Sequence, residues 1–495
     1  MVRGATTKRN FLVRKLAIWL MAVAVAYVPE AAAGQNKKAG KSALNPGPIA
    51  AQKFTGDLDG MLQHRFIRAL VAYSKTQFYI VRGHQQGTSY EALRAFEAFV
   101  NKKFPSQTKN VKLHVVYIPV PRDQLLPLLA QGKGDLAVAA LTVTPERQKS
   151  VDFTEPVARN ISQIVVTGPK SPAISKLDDL SGQEIFVRKS SSYWESLEKM
   201  NQQFKKEGKA EAKLRPAPED LEDEELLEML NAGLVGILVM DDYKARLWEQ
   251  VYGKIKPHPE VAVAEGTDFA WAMRKNSPKL MAATNEFVQK HRQGTTFGNL
   301  LISKYIRSPK MIKDATDPAE MKRFNQMVEI FRKYAGQYSV DYLLMMAQGY
   351  QESQLNQARR SKAGAVGVMQ LMPATGKQMQ VGDIHQLEPN IHAGVKYIRY
   401  MEDRYFSGEP MNDTDKLLFS FAAYNAGPAR IQQLRKATAK AGLNPNVWLN
   451  NVEMTAAKSI GTETVAYVSN IYKYYIAYKL VAEQEETRAK LQARR

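Results

Sequence analysis

The carboxylate of Glu352 stands at a place in the sequence where a free acid is unexpected. It closes an apolar, helix-like run that starts at Met345, and the chain then breaks into a loop of Ser, Gly, Met and Gln residues up to Gly376. A lone carboxylate at an apolar helix end is costly unless it is neutral or paired. That cost makes Glu352 a candidate for chemistry, and the other segments of the chain must indicate which chemistry.

Polar and aromatic side chains in three later segments could line a groove beside this acid. The loop provides Ser361, Met369 and Gln370, the segment "AAYNAG" provides Tyr424 and Asn425, and "TETVAYVSNI" provides Glu463 and Tyr467. Amides and hydroxyls bond sugar hydroxyls and N-acetyl groups, and aromatic faces pack on sugar rings, so a sugar polymer is the expected ligand. Other Met and Tyr residues at helical spacing are interpreted as core, namely Met345, Met346, Tyr472, Tyr474 and Tyr475.

The order of these motifs resembles the catalytic domain of the soluble lytic transglycosylases, which has the goose-type lysozyme-like fold. The shared pattern is ES, then S-x-x-GA-x-G-x-MQ, then AYNAG, then ET-x-x-YV, and it covers about residues 325 to 480. The resemblance implies that Glu352 is the sole catalytic acid and base, and that Ser361 orients it or contacts an acetamido group. It also implies a set of further sugar-binding residues: Met369, Gln370, Tyr424, Asn425 and Tyr467.

The presence of a single candidate carboxylate disfavours a hydrolytic mechanism. Hydrolytic glycosidases usually need two carboxylates, one as acid and one as base or nucleophile. In the lytic reaction that the resemblance implies, Glu352 protonates the glycosidic oxygen between N-acetylmuramic acid and N-acetylglucosamine. The carboxylate then removes the proton of the muramyl 6-hydroxyl, which attacks C1 and gives a 1,6-anhydro end. Glu463 is expected to be a structural partner and not a second catalyst.

The elements that precede this region alternate between strand and helix patterns. Strands are predicted at "FIRALVAY", "VKLHVVYIPV" and "DLAVAALTVT", with helices between them, and a second such set leads to "VGILVMDD". This βαβ alternation predicts an α/β sheet with helices on both faces. Since the later segment "DFAWAMRK" is expected to return to the first set, we predict two α/β lobes with a cleft between them.

From about Ser308 the pattern is helical only, so the predicted fold class is α/β plus all-α. We predict a signal peptide over 1–33, a linker over 34–60, a two-lobed periplasmic binding protein-like domain over 61–308, a helical lysozyme-like domain over 309–485 and a charged tail over 486–495.

The first domain carries residues that suit a ligand with a carboxylate and an ammonium group. Thr142 ends a strand, Arg147 follows it, and Ser191 and Ser192 begin a predicted helix, all of which suits a carboxylate. Asp241 or Asp242, at the end of another strand, could accept an ammonium group. Ordinary helix capping and surface ion pairs are the alternative for each of these residues.

The stretch "TPERQKSVDFTEP" resembles the signature of the family 3 periplasmic solute-binding proteins, and the resemblance covers about residues 66 to 305. It implies that Arg147 holds the α-carboxylate of an amino acid or a related ligand, with Thr142 and Asp241 on the rest of the head group. A domain of this kind ahead of a lytic domain is similar to the membrane-bound lytic transglycosylases.

Composition excludes several kinds of site. The 495 residues contain no Cys, which excludes disulfides, thiolate metal sites, a cysteine nucleophile and a lipid-modified N-terminal cysteine. The formal net charge is +20, but residues 1–53 hold nine Lys or Arg against the single acid Glu30. Much of the excess charge therefore lies in a leader and linker, and we expect no nucleic-acid partner. The seven His residues are scattered, so no metal or other cofactor is expected.

The N-terminus predicts export from the cytoplasm. Basic residues precede the apolar run from Leu16 to Val28, and the small residues Ala31 to Ala33 follow it. The run is shorter than the roughly 20 residues that span a bilayer. We expect cleavage after Ala33 and a periplasmic protein at the periphery of the outer membrane; the alternative is an uncleaved N-terminal anchor.

Three functions are compatible with these observations. The leading one is a peptidoglycan lytic transglycosylase that acts on glycan strands, with an N-terminal domain that senses an amino acid or a muropeptide. The alternatives are a peptidoglycan- or solute-binding scaffold without catalysis, and a muramidase that hydrolyses its substrate. The intact acid at position 352 favours catalysis, and no second acid stands out between Ser361 and Gln370.

Overall fold

The computed structural model describes residues 53–105, 111–315 and 317–493 of the chain. The predicted signal peptide and most of the predicted linker lie outside these ranges. The described residues form a two-lobed α/β domain followed by a helical domain, which confirms the predicted fold class.

The main sheet of the α/β domain runs through both lobes. The strands are β1 (Phe66–Ala72), β2 (Tyr79–Val81), β3 (His84–Gln86), β4 (His114–Val120), β5 (Leu136–Thr142), β6 (Val151–Phe153), β7 (Ala158–Thr167), β8 (Glu184–Arg188), β9 (Lys213–Ala217), β10 (Ile237–Asp241) and β11 (Lys256–Arg274). The order in the main sheet is β10-β7-β11-β5-β1-β4, with β6 paired to β11. β1 is parallel to both β4 and β5, as βαβ units require.

Two long strands, β7 and β11, connect the lobes. They pair with each other in antiparallel orientation, and β11 then continues into the first lobe, where it pairs with β5. The predicted return of "DFAWAMRK" to the first set of strands is therefore confirmed. Because Phe269 pairs with Thr142, the end of β5 lies at the junction between the lobes.

Helices cover the sheet of each lobe. They are α1 (Leu58–His64), α2 (Thr88–Lys103), α3 (Leu125–Ala130), α4 (Pro145–Gln148), α5 (Ser192–Lys206), α6 (Asp223–Asn231), α7 (Asp242–Glu249), α8 (Pro278–His291) and α9 (Thr296–Tyr305). The domain begins before the predicted boundary at residue 61, because Leu58 and Met61 of α1 are buried in the core of the first lobe.

The second domain is entirely helical in its regular elements. Its helices are α10 (Lys310–Ala315), α11 (Pro318–Gln337), α12 (Tyr342–Ser353), α13 (Pro373–Met379), α14 (Leu387–Tyr405), α15 (Asp413–Ala426), α16 (Pro428–Lys440), α17 (Glu453–Ser459) and α18 (Glu463–Ala493). The segment predicted as a charged tail continues α18 as helix up to Ala493, with an ion pair between Glu486 and Lys490 one turn apart. None of the helices in the described ranges is long and apolar enough to cross a membrane.

Local sequence sets the helix ends that matter for the site. α12 begins where the Asp341 carboxylate accepts a hydrogen bond from the amide of Leu343, and it ends at Gln354, which has a left-handed backbone with φ of 57°. α15 ends at Gly427 with φ of 87°, and Pro428 starts the next helix. These two ends place Glu352 and the "AAYNAG" segment on final helical turns.

The helical domain packs directly on the first lobe. One continuous hydrophobic core joins the first lobe to the helical domain, whereas the second lobe has a core of its own. At the contact, Lys473 of α18 forms an ion pair of 2.8 Å with Glu97 of α2. The ring of Tyr350 on α12 makes edge contacts with His84 and Tyr474. The helix that carries the predicted acid is therefore held against the α/β domain.

Candidate active site

Glu352 occupies the last turn of α12 and is half-buried. Its Oε1 atom accepts a hydrogen bond of 2.6 Å from the hydroxyl of Tyr467, and no described residue hydrogen-bonds its Oε2 atom. Burial raises the pKa of Glu352 to about 7, against the opposing effect of the Tyr467 hydrogen bond. Such a group can be protonated or ionised near neutral pH, which general acid and base catalysis by one residue requires.

Tyr467 reaches Glu352 from the first turns of α18. Its hydroxyl is also bonded by the side-chain amide of Gln348, which lies one turn before Glu352 on α12. The pKa of Tyr467 is held well above its ordinary value by burial and by the neighbouring Glu352 carboxyl. The phenol therefore stays protonated and acts as a hydrogen-bond donor to the acid.

The loop after α12 is held by two amide side chains. Asn390 of α14 is fully buried, accepts a hydrogen bond from the Met369 amide and donates to the Val366 carbonyl. Gln357 accepts a bond from the Val368 amide. Gly367 has φ of 79°, and a Cβ atom there would lie 2.4 Å from the Asn390 side chain, so only glycine fits.

The "AAYNAG" segment meets this loop and the start of α18. The Tyr424 hydroxyl donates a hydrogen bond of 2.6 Å to the Met369 carbonyl. The exposed Asn425 accepts one of 2.7 Å from the hydroxyl of Thr464. The four predicted motifs are thus brought together around one acid, although they are spread over more than a hundred residues of sequence.

The three predicted loop residues differ in what they present to solvent. The Ser361 hydroxyl accepts a bond of 2.9 Å from the Ala365 amide and shapes the loop, with no hydrogen bond to Glu352. Gln370 is half-buried, with φ of 45°, and donates to the Gly367 carbonyl. The Met369 side chain is fully buried, so a sugar could reach it only after the loop moves.

Sequence reasoning missed three polar residues of the site: Gln348, Asn390 and Thr464. Gln348 and Asn390 have no exposed surface, and Thr464 is nearly buried. A signal was available for Gln348, because it is an amide inside an otherwise apolar helical stretch, where a polar side chain needs a specific partner. Which partner it has depends on how the helices pack.

Replacing Tyr467 with Phe is expected to reduce kcat about 10- to 100-fold, because the acid loses the donor that orients it. The pKa of Glu352 should rise further, since the lost hydrogen bond lowers it. The pH dependence of kcat on murein measures this, and the alkaline limb should move to higher pH. Tyr472→Phe, a buried position on the same helix, serves as the control. An unchanged pH profile would contradict the orienting role.

Three of the five predicted ligand residues of the α/β domain, Thr142, Arg147 and Ser192, lie at the junction of the lobes. The hydroxyls of Thr142 in the first lobe and Ser192 in the second lie 2.9 Å apart. The Arg147 guanidinium donates to the Thr142 and Ser190 carbonyls and forms an ion pair of 3.1 Å with Glu195 of α5. Arg147 was predicted to bind a ligand carboxylate. In this structure its guanidinium is instead paired with the carboxylate of Glu195.

The other two predicted residues are engaged within the second lobe. The Ser191 hydroxyl caps α5 by accepting from the Trp194 amide. Asp241 is buried, accepts from Tyr193 at 2.7 Å and lies 3.0 Å from the ammonium group of Lys244. An incoming ammonium group would have to compete with Lys244 for this carboxylate.

An ion pair and a hydrogen bond connect the two lobes at their junction. Arg122 of the first lobe pairs with Glu222 at 3.1 Å, and the Lys75 amide donates to Glu224 at 2.7 Å. Both acids lie at the start of α6 and are buried, and each has a partner in the opposite lobe, which only the packing of the two lobes can provide.

A cavity of about 530 Å³ lies beside the strands that connect the lobes. Its wall is largely aromatic and aliphatic, and four guanidinium groups contribute to its lining: Arg159, Arg246, Arg292 and Arg307. None of the five predicted ligand residues lines this cavity. A smaller cavity of about 450 Å³ includes Thr142 and Ser192.

Within the described ranges, no group of three or more His, Cys, Asp or Glu side chains is arranged to hold a metal ion.

Two family models match the chain, one on each domain. "Bacterial extracellular solute-binding proteins, family 3" matches residues 76–307, and "Transglycosylase SLT domain" matches residues 329–446. "Membrane-bound lytic murein transglycosylase F" of Desulfosudis oleivorans is 26% identical over 441 residues, which is 83% of this chain and 90% of that protein. The protein of the same name from Stutzerimonas stutzeri is 25% identical over 488 residues, covering 93% of this chain and 90% of that protein.

Solved structures resemble the α/β part of the chain. An ancestral arginine-binding protein bound to arginine matches with a TM-score of 0.40 and 20% identity, covering 49% of this chain and 98% of that chain.

The two matches divide the chain as its fold does: the α/β domain is similar to the family 3 solute-binding proteins, and the helical domain that follows it is similar to the SLT transglycosylases. Over most of its length the chain is similar to membrane-bound lytic murein transglycosylase F, which confirms the relationship that the motifs predicted.

Proposed function

We propose that this chain cleaves the β-1,4 bond between N-acetylmuramic acid and N-acetylglucosamine in peptidoglycan without water and leaves 1,6-anhydro ends. The observation that supports this most is the isolation of Glu352. It is a single carboxyl with a pKa of about 7, bonded by a neutral phenol and without an ion pair to any described residue.

The two oxygens of the Glu352 carboxyl have different roles in the two proton transfers. Tyr467 donates to Oε1, so Oε2 is the atom that carries the transferable proton. That proton passes to the glycosidic oxygen as the C1–O bond breaks, and the charge developing at C1 is carried by the ring oxygen or the acetamido group. The Oε2 carboxylate then takes the proton of the 6-hydroxyl, O6 bonds to C1, and the acid is restored.

Mass spectrometry of murein digested by the purified protein tests this proposal against the alternatives. Anhydro-muramyl ends support the lytic reaction, and reducing ends indicate hydrolysis. Intact glycan strands would mean that the helical domain only binds peptidoglycan. Hydrolysis is the weaker candidate because the described contacts of Glu352 include no second carboxylate that could activate water.

We infer that the α/β domain binds a small ligand, an amino acid or a muropeptide, at the junction formed by Thr142, Arg147 and Ser192. Opening the lobes would release Arg147 from Glu195 for a ligand carboxylate. We further propose that this binding changes access to Glu352. Support comes from α18, which contacts the first lobe through Lys473 and the acid through Tyr467. Couplings of this kind are typically about 1–3 kcal/mol.

Replacing Glu195 with Gln is expected to raise the affinity for such a carboxylate ligand about tenfold, because Arg147 loses its internal competitor. Arg147→Ala should weaken binding instead. Calorimetry on the full chain with free L-amino acids and a disaccharide tetrapeptide measures both effects. Glu184→Gln, which breaks an exposed pair with Arg215 in the same lobe, is the control. Equal affinities in the wild type and the Glu195 variant would contradict a ligand carboxylate on Arg147.

The relatives are named membrane-bound enzymes, and we propose a cell-envelope location for this chain, exported by its N-terminal signal and associated peripherally with the outer membrane. N-terminal sequencing of the protein from separated periplasmic and membrane fractions tests both the cleavage after Ala33 and the association.

A further inference from the structure

Packing alone does not account for the buried amide of Gln348. This residue has no exposed surface and lies one turn before Glu352 on α12. Its Nε2 atom donates to the Tyr467 hydroxyl at 3.1 Å, whereas its Oε1 atom is buried without a hydrogen-bond partner. A half-satisfied amide in an apolar helix interface is unfavourable compared with an apolar side chain of the same size. A role in the site would explain why the amide is there.

The amide determines which way the Tyr467 hydroxyl points. An amide N–H can only donate, so the Tyr467 oxygen is the acceptor of that bond. The single hydroxyl hydrogen is then left for the 2.6 Å bond to Oε1 of Glu352. The three side chains form a chain of hydrogen bonds with one direction, from Gln348 through Tyr467 to Glu352.

We propose that Gln348 is a positioning residue for the reaction: it directs the Tyr467 hydroxyl toward Oε1 of Glu352 and so keeps the transferable proton on Oε2. Without the amide, the phenol oxygen can accept a proton from Oε1, and the acid then holds its proton on the side away from the substrate. The catalytic consequence rests on the proposed function, whereas the direction of the hydrogen bonds does not.

The titration of Glu352 can be measured without interference from its neighbours. The titratable side chains that face it are Tyr467 from α18 and Tyr424 from α15, and burial raises the pKa of both phenols well above their ordinary value. Among the described residues, no Lys, Arg or His forms an ion pair with Glu352. The carboxyl of Glu352 is therefore the group of this cluster that titrates near neutral pH.

The test compares Gln348→Met, which keeps the size and removes the donor, with Gln348→Glu, which becomes a pure acceptor when ionised. In the full chain, Gln348→Met is expected to lower kcat on murein about tenfold with KM within about twofold. The alkaline limb of its kcat profile should move to higher pH, since a weaker phenol donor stabilises the Glu352 carboxylate less. In Gln348→Glu the loss should grow as the introduced carboxyl ionises and draws the phenol hydrogen toward itself.

Infrared titration gives a readout that does not need activity. The carboxylic C=O band of Glu352 can be assigned by its disappearance in Glu352→Gln, and its midpoint should shift upward in Gln348→Met. Asn201→Leu, which removes a buried amide of the second lobe, is the matched control and should leave both the band and kcat unchanged. The thermal midpoint of Gln348→Met should equal or exceed that of the wild type.

Two results would overturn the proposal. One is an unchanged infrared midpoint in Gln348→Met. The other is a loss of kcat that is equal in both variants, parallels a fall in thermal midpoint and leaves the pH profile unchanged, as a purely structural role predicts. If the wild type releases no anhydro products but the infrared midpoint shifts, the proposed function fails while the directing role of Gln348 stands.

Discussion

Glu352→Gln is expected to lower the release of 1,6-anhydro products from murein by at least about 1000-fold, because the amide keeps the shape of the acid but cannot transfer its proton. The fold should persist, since the Tyr467 hydroxyl can donate to the amide oxygen as it does to Oε1. Murein binding should be nearly unchanged. Quantitative mass spectrometry of the digest, with a pelleting assay for binding, measures both effects.

Glu463→Gln is the matched control for this experiment. Glu463 is a carboxylate near the site at the start of α18, but it is exposed and makes no described contact with Glu352. Its replacement should leave activity within about twofold, as for a surface residue away from the chemistry. Activity of the Glu352 variant within tenfold of the wild type would refute the mechanism with a single acid.

Lys473→Met is expected to have the largest effect on stability, a loss of about 3 kcal/mol, because it removes the ammonium partner of the mostly buried Glu97 and leaves that carboxylate with only His114 as a charged neighbour in the contact between the two domains. Both side chains are mostly buried there, with 12% and 21% of their surface exposed. Thermal unfolding of the full chain measures the loss. Glu97→Gln combined with Lys473→Met should recover part of it, since no charge is then left unpaired.

The control for the interface is an ion pair of similar geometry in solvent. Lys490 pairs with Glu486 at 2.6 Å on the same helix, and both side chains are more than half exposed. Lys490→Met should change stability by less than about 1 kcal/mol. An equal effect of the two Lys substitutions would mean that the Lys473 pair contributes no more than a surface contact.

The carboxyls of Glu97 and Glu352 should make pH-dependent contributions to stability that are lost in opposite directions of pH. Burial opposes ionisation of Glu97, but Lys473 and His114 outweigh it and lower the pKa of Glu97 from 4.5 to about 2. Its contribution is present above pH 4.5 and is lost as the pH falls toward 2. Glu352, with its pKa raised from 4.5 to about 7, binds its proton more tightly when folded, so its contribution declines as the pH rises through that range.

The elements that carry the chemistry were predictable because their patterns are local. Alternation of strand and helix signals identified the β5 strand that ends at Thr142, and helical periodicity identified α12 and α18. Helical periodicity alone ran through Gly427 and Pro428, where the structure ends α15 and begins α16. The segment predicted only as a charged tail continues α18 as helix from residue 486 to Ala493, and the pair of Glu486 and Lys490 one turn apart supports it locally.

The candidate acid was likewise visible in the sequence. Glu352 is one carboxylate in an apolar run, and its unfavourable burial can be inferred from its neighbours alone. The elevated pKa that this implies agrees with the structure, in which burial is the main cause of the shift.

The partners of that acid were decided only by tertiary structure. Tyr467 lies 115 positions from Glu352 in sequence, and Glu195 lies 48 positions from Arg147. No local pattern encodes such pairings, because hydrogen bonds and ion pairs depend on atomic distances that arise when helices and lobes pack. For the same reason the sequence predicted a carboxylate site at Arg147 but not the partner that it has in the folded chain, the carboxylate of Glu195. The hydrogen bond from the Gln348 amide to the Tyr467 hydroxyl likewise depends on how α12 and α18 pack.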